Sequence, residues 1–417
     1  MTLDRRTFLA SLAALTLVPG RATATSHHPK HLVLLFASGG WDPTVVFDPK
    51  PDSSVVDMEV GEPYAFGNGS LWTHASRPSV TDFFGRYGSL CTVINGVNVP
   101  AIAHAGCRTR MLTGTRDRAQ PDVGAVVAHA LGAEVAMPYL DISGGAYPGP
   151  YASELGYMGA SNQLSRLVLP DRAFRPPHGS LWDRHFPNEN QSDAIRDWVQ
   201  SRADGAMVER AAEGENARRK ASFINGLERG HRLFEYETFF ENTAEDSSLS
   251  EQVRTSLDAL AMGLSKVVMI DARADFDTHR NNQDQSKRYE ATFSGLLELM
   301  EGLSETPGAE GGVLLDDTLV FVLSEMGRTP RHNDDRGKDH WPYTSCLLLG
   351  AGVRGNTIVG STNTSLVGQP VDLNTGHASA SGTLLQSEHV LAGIADLFGV
   401  KPEGALGTAA PFRGFHA

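Results

Sequence analysis

Short unbroken apolar runs alternate with stretches of helical spacing along most of this chain. Residues 32–36, 90–97, 138–143, 266–271 and the run opening at 318 are each bounded by Gly, Pro or polar clusters. That pattern predicts strands buried on both faces. Residues 79–87, 104–114, 121–136, 249–264, 284–303 and 386–398 read as helices, with Asp122 as a cap and Gly132 as a stop for the third. Residues 191–241 carry mixed charge with apolar spacing of three and four, which predicts two or three exposed amphipathic helices. Residues 43–78 read as loop, and residues 144–187, rich in Gly, Pro and aromatics, resist assignment. The order strand, helix, strand, helix predicts an α/β fold: a mostly parallel central sheet flanked by helices. A single domain over residues 25–417 is expected, with a loop-rich and helical insertion at about 144–248 as a cap.

The stretch from 318 to 355 organises this picture. A buried strand ends in Glu325, a polar loop follows, the pair Asp339 and His340 comes next, and then a second buried strand. Ligands of open α/β sheets sit at the carboxyl ends of strands. Other runs deliver similar groups to such ends: Asp42 after Ser38-Gly39-Gly40-Trp41, His104 at the start of the helix after residues 90–97, and Asp277 and His279 after residues 266–271. Taken singly, each is explained equally well by a turn, a cap or a solvated loop. Together, Asp42, His104, Asp277, His279, Glu325 and His340 form a set of oxygen and imidazole donors suited to one or two divalent ions. Zinc is the first expectation, with calcium, magnesium or manganese as alternatives. Arg108, one turn after His104, and Arg328 are placed to clamp a sulfate or phosphate.

Composition narrows the partners. The chain has 417 residues and a net charge of −13 without a long basic run, which argues against nucleic acid. Three cysteines, Cys91, Cys107 and Cys346, have no metal-finger spacing and read as core. At the start, Arg5-Arg6 precedes an apolar run and Ala22-Thr23-Ala24, the pattern of a twin-arginine signal over residues 1–24. An ordinary secretory leader is the competing reading, and both put the mature protein in the periplasm or outside the cell. No later apolar run approaches the ~18 residues of a transmembrane anchor.

The segments Gly39-Gly40-Trp41-Asp42, Phe276-Asp277-Thr278-His279, Ser324-Glu325-Met326-Gly327-Arg328-Thr329-Pro330 and Gly337-Lys338-Asp339-His340-Trp341 resemble the alkaline phosphatase/sulfatase superfamily. More closely the chain resembles the exported bacterial family known as domain of unknown function 1501. The resemblance implies a hydrolase of phosphate or sulfate esters acting on an anionic small-molecule or glycan substrate. It implies Asp42 at one metal, and Asp277, His279 and His340 at another. Glu325 stands where relatives carry Asp followed by His, but Met326 follows here. Alignment on Leu112-Thr113-Gly114 sets Arg108 on the sulfatase arginine and His104 on the nucleophile. The departures at His104 and Met326 keep open a second reading, a non-catalytic periplasmic or surface binding protein.

Overall fold

The computed structural model describes residues 28–159, 163–169, 189–208, 215–243, 248–308 and 311–417. The leader expected over residues 1–24 lies outside them. So does part of the expected insertion.

The described residues contain an eight-stranded sheet. In chain order its strands are β1 (His31–Phe36), β2 (Cys91–Asn98), β3 (Tyr139–Asp141), β4 (Leu155–Tyr157), β5 (Val267–Asp271), β6 (Thr318–Leu323), β7 (Tyr343–Gly350) and β8 (Thr357–Gly360). Across the sheet they run β8-β2-β7-β6-β1-β5-β3-β4. At the centre, Leu34 of β1 stands opposite Met269 of β5 and Phe321 of β6. All neighbours are parallel except those of β7, which is antiparallel to both β2 and β6. The reason is local: only a loop separates β6 from β7, and a parallel return needs a crossover of a dozen or more residues, usually a helix.

Both faces of the sheet are covered, which is why its strands read as continuous apolar runs rather than alternating ones. Val33 and Leu35 join one core cluster and Leu32, Leu34 and Phe36 the other, all essentially solvent-free. The first face packs α1 (Pro78–Tyr87), α4 (Leu249–Ala261) and α5 (Asp284–Glu305), through Phe83, Leu260, Phe293 and Leu296. The second packs α2 (His104–Thr113), α3 (Val123–Leu131) and α6 (Ser387–Leu397), through Met111, Val127, Leu391 and Ile394. Burial of each such side chain contributes roughly 1.5–3 kcal/mol.

Two expectations are adjusted. The third helix ends at Leu131, where Gly132, the expected stop, leaves it and closes back on the Ala128 carbonyl, so residues 133–136 lie outside it. Residues 62–73, read as loop, form a hairpin, Glu62–Phe66 with Gly69–Thr73, whose turn is Gly67-Asn68. Beyond Gly355 the chain adds β8 to the sheet edge. Cys91, Cys107 and Cys346 are free and buried. No helix among the described residues is long and apolar enough to cross a membrane.

Candidate metal centre

β1, β2, β5 and β6 point one way, so their carboxyl ends share an edge, and β7 brings its amino end to the same edge. His340 therefore arrives there from the opposite direction, just ahead of β7. It pairs with Arg328 in a short antiparallel ladder, His340–Trp341 against Gly327–Arg328. Gly39 makes the edge compact: its φ is +103°, and a Cβ there would lie 2.5 Å from the backbone nitrogens of Phe276 and Asp277. Glycine alone combines that conformation with that approach.

Four groups meet at this edge. One ligand atom each from His104, Asp277 and His340 falls within 4.8 Å of the others. His279 joins them, with Nε2 at 3.2 Å from Asp277 Oδ1 and 2.9 Å from His340 Nε2. Hydrogen bonds on the far side of each ring decide which nitrogen faces inward. His340 Nδ1 donates to the Ile102 carbonyl at 2.6 Å, His279 Nδ1 donates to Asp339 at 2.9 Å, and His104 Nδ1 donates to Glu325 at 2.8 Å. Each neutral ring then turns a bare Nε2 toward Asp277. Two bare nitrogens 2.9 Å apart repel unless a cation, proton or metal ion, lies between them. His104 Nε2 is buried without a hydrogen-bond partner among the described residues and lies 3.4 Å from Asp277 Oδ2. Imidazoles held by carboxylate or carbonyl through the other nitrogen, around one carboxylate, are the donor arrangement of zinc sites. The residues present fit a divalent ion.

Arg328 fastens the arrangement. Its side chain is fully buried, and it donates to Gly40 O at 2.8 Å, Lys338 O at 3.0 Å, Asp277 Oδ1 at 2.7 Å and Gly39 O. Burial pushes the Asp277 carboxyl up, but the Arg328 hydrogen bond and charge, with smaller contributions from His104 and His279 whenever those rings carry a proton, outweigh it and hold the group below the usual carboxylate range. The hydrogen bond to Glu325 raises His104, against a smaller opposing effect of burial.

Glu325 and Asp42 take other positions. Glu325 Oε1 accepts from Gly39 N at 2.9 Å as well as from His104, so it reaches the cluster through the His104 ring. Asp42 is fully buried and ion-paired with Lys338 at 2.8 Å. Met326 is buried in the core.

Beside His104 opens a cavity of about 520 Å³, lined among others by Phe36, Arg108, Arg118, Gly145, Tyr147 and Asp277. The Arg108 guanidinium lies 4.7 Å from the Phe36 ring centroid, and its Nε and Nη2 are buried without a hydrogen-bond partner among the described residues. Donors left so are costly unless an acceptor comes to them. Its neighbour Gly145 is there for space, since a Cβ would lie 1.4 Å from Arg108 Nη2. Arg108→Ala is expected to raise the dissociation constant for inorganic sulfate or phosphate about 10–100-fold, the worth of hydrogen bonds to a charged group. Gly145→Ala is expected to reproduce part of that rise by displacing the guanidinium, with metal content unchanged in both. Titration calorimetry with parallel metal analysis checks this.

Residues 29–381 match the family described as "Protein of unknown function (DUF1501)". The chain belongs to this family. No curated protein matches it. Among solved structures, this DUF1501 chain is similar to Ps i-CgsB in complex with k-i-k-neocarrahexaose, at 11% identity and TM-score 0.43 over 92% of this chain and 75% of the other. It is also similar to the lipoteichoic acid synthase LtaP from Listeria monocytogenes, at 7% identity and TM-score 0.41 over 93% and 77%. A protein in the alkaline phosphatase superfamily from Vibrio parahaemolyticus matches at 7% identity and TM-score 0.40 over 98% and 78%. Likeness of this size leaves chemistry to be argued from the site itself.

Sequence reading of this DUF1501 chain misses the support of the cavity rim. Asp141 accepts from Ser143 Oγ, Gly144 N and Ala146 N, and Asp122 accepts from Tyr147 N and Ala125 N. Both carboxyls are buried, so the loop over residues 143–147 hangs from them. Burial pushes Asp122 up from 3.8 to about 7. The folded chain therefore holds a proton that the unfolded chain releases near pH 4, and stability from this group falls as pH rises through that window. The stability advantage of wild type over Asp122→Asn is expected to shrink by about 1 kcal/mol or more between pH 5 and pH 8, measured by urea denaturation.

Proposed function

We propose that this protein is an exported, metal-dependent hydrolase of phosphate or sulfate esters carried by small molecules or glycans. The observation that carries the reading is the convergence of His104, His279 and His340 Nε2 on Asp277, beside the unpaired guanidinium of Arg108. Asp277, His279 and His340 would hold the ion, and zinc suits two imidazoles and a carboxylate with a position left open. A divalent ion there supplies a Lewis acid and lowers the pKa of water. Arg108 binds the anionic group of the ester, and the Phe36 ring beneath it keeps the guanidinium turned to the cavity. His104, oriented by Glu325 through Nδ1, presents Nε2 as the group that attacks the ester or takes the proton of the water that does.

Arg5-Arg6 and the apolar run after them support export by the twin-arginine route. A single domain over residues 25–417 with an insertion at about 144–248 remains the proposed organisation.

Aryl phosphates and aryl sulfates are the test substrates, with zinc, manganese, magnesium or calcium supplied to the mature chain. Turnover lost in His104→Ala supports the reading, and phosphate on His104 that survives base but is lost in acid after quenching separates attack from proton transfer. Absence of turnover with every metal contradicts it. Met326, apolar and buried where the resemblance implies a histidine, favours a second reading, anion or glycan binding without turnover. Tight phosphate or sulfate binding with no hydrolysis, unchanged in His104→Ala, would establish that one.

A further inference from the structure

Asp42 follows the turn at the end of β1, at the edge where the metal centre forms, yet its carboxylate is saturated by the chain itself. Oδ1 accepts from Thr44 N at 3.0 Å and Thr44 Oγ1 at 2.7 Å, and Oδ2 accepts from Asn282 Nδ2 at 2.9 Å. Lys338 Nζ lies 2.8 Å from Oδ2, and both side chains are 0% exposed. An ion pair taken out of water survives only with close geometry and further hydrogen bonds; here the geometry is close and the hydrogen bonds lie on the carboxylate, while Lys338 Nζ has no hydrogen-bond partner among the described residues and depends on Asp42 for its compensation.

The lysine is also tied to the candidate ligands. Its N–H donates to Thr278 O at 3.1 Å, between Asp277 and His279 in sequence, and its own carbonyl accepts from Arg328 Nη1 at 3.0 Å. Two residues on comes His340. The same short backbone that delivers His340 to the centre therefore delivers an ammonium to Asp42. Of the other groups at that side, Glu325 is taken by Gly39 N and His104, Glu59 by Asn282 Nδ2 at 3.1 Å and His332 Nε2 at 3.3 Å, and Met326 offers no charge.

We propose that Lys338 is a built-in cation that occupies the carboxylate of Asp42 and limits the centre to one exchangeable divalent ion. This rests on the metal-centre reading above. The side chain supplies fixed positive charge beside the ion without exchanging with solvent, so Asp42 is a structural partner of Lys338 and not a ligand.

The test titrates zinc chloride into chelator-stripped, full-length mature protein and counts bound zinc after desalting. Wild type is expected to bind one zinc per chain. Asp42→Asn is expected to keep one zinc, with affinity within about threefold of wild type, while its melting temperature falls because Lys338 is left buried and unpaired. Lys338→Met is expected to melt lower in chelator and to regain stability with zinc as a second equivalent binds at Asp42; Lys338→Met with Asp42→Asn is expected to lose that second equivalent. Two zinc ions in wild type, or loss of zinc in Asp42→Asn, overturn the proposal with the metal centre intact. A folded Lys338→Met chain that takes no second equivalent overturns it as well. No zinc in wild type removes the metal centre itself, and this proposal with it. The wild-type and Asp42→Asn counts decide the matter if Lys338→Met does not fold.

Discussion

An Asp277→Ala chain is expected to lose zinc affinity by more than about 100-fold and hydrolysis in the same proportion. Changes to groups that merely orient ligands cost 10–100-fold, and Asp277 is itself the carboxylate on which the ring nitrogens converge. Its oxygens lie 3.2 Å from His279 Nε2, 3.5 Å from His340 Nε2 and 3.4 Å from His104 Nε2. Removing it leaves the ion no carboxylate ligand, since Glu325 and Asp339 reach only the far ring nitrogens of His104 and His279. Asp277→Asn separates charge from shape, because an amide oxygen can still accept from Arg328. It is expected to lose zinc nearly as fully while melting close to wild type. Competition titration against a chromophoric chelator reads the affinity, and aryl ester turnover reads the activity. Zinc affinity unchanged in both variants would remove Asp277 from the centre.

Arg328→Met is expected to produce the largest loss of stability, on the order of 3–5 kcal/mol. The side chain has no exposed surface, and its donors serve Gly39 O, Gly40 O, Lys338 O and Asp277 Oδ1. Methionine fills similar volume but leaves those buried acceptors without a donor. The loop after β1, the loop carrying Lys338 and the loop carrying Asp277 are cross-linked by this one guanidinium, so zinc binding should weaken along with the fold. The shift of the urea midpoint in chelator reads the first effect, and the same shift in saturating zinc reads the second. A midpoint shift below about 1 kcal/mol, the size of an exposed pair, would place the side chain in solvent-accessible surroundings instead.

The parts of this molecule that sequence makes legible are those governed by burial and by strand direction. β1, β5 and β6 are visible as apolar runs because both faces are covered, and their carboxyl ends locate Asp277, His279 and Glu325 without coordinates. His104 is legible as the first residue of a helix that follows a strand. Residues 62–73 are missed as a hairpin because their exposed strand, Glu62–Phe66, carries no clear alternation and the Gly67-Asn68 turn is a weaker signal than Asn-Gly. Lys338 is missed for a different reason. A lysine among Asp334, Asp335, Arg336 and Asp339 reads as part of a solvated loop, and only the packing of that loop against Thr278 and Arg328 carries it into the interior. On the proposal made above, the same packing makes Asp42 a partner of Lys338 in place of the ligand role that its position at a strand end suggests. Asp122 is legible as a helix cap and Asp141 closes a local loop over residues 143–146, but the second bond of Asp122, from Tyr147 N, joins separate segments and no local pattern encodes it.

The central claim is that Asp277, His279 and His340 hold a divalent ion beside His104 and Arg108. Anomalous diffraction from crystals of the zinc-loaded mature protein, recorded on both sides of the zinc absorption edge, tests it directly. The account predicts one peak per chain, with Asp277 oxygen and the Nε2 atoms of His279 and His340 at about 2.0–2.2 Å. No peak among these three residues, or a peak on Asp42 in their place, would contradict it.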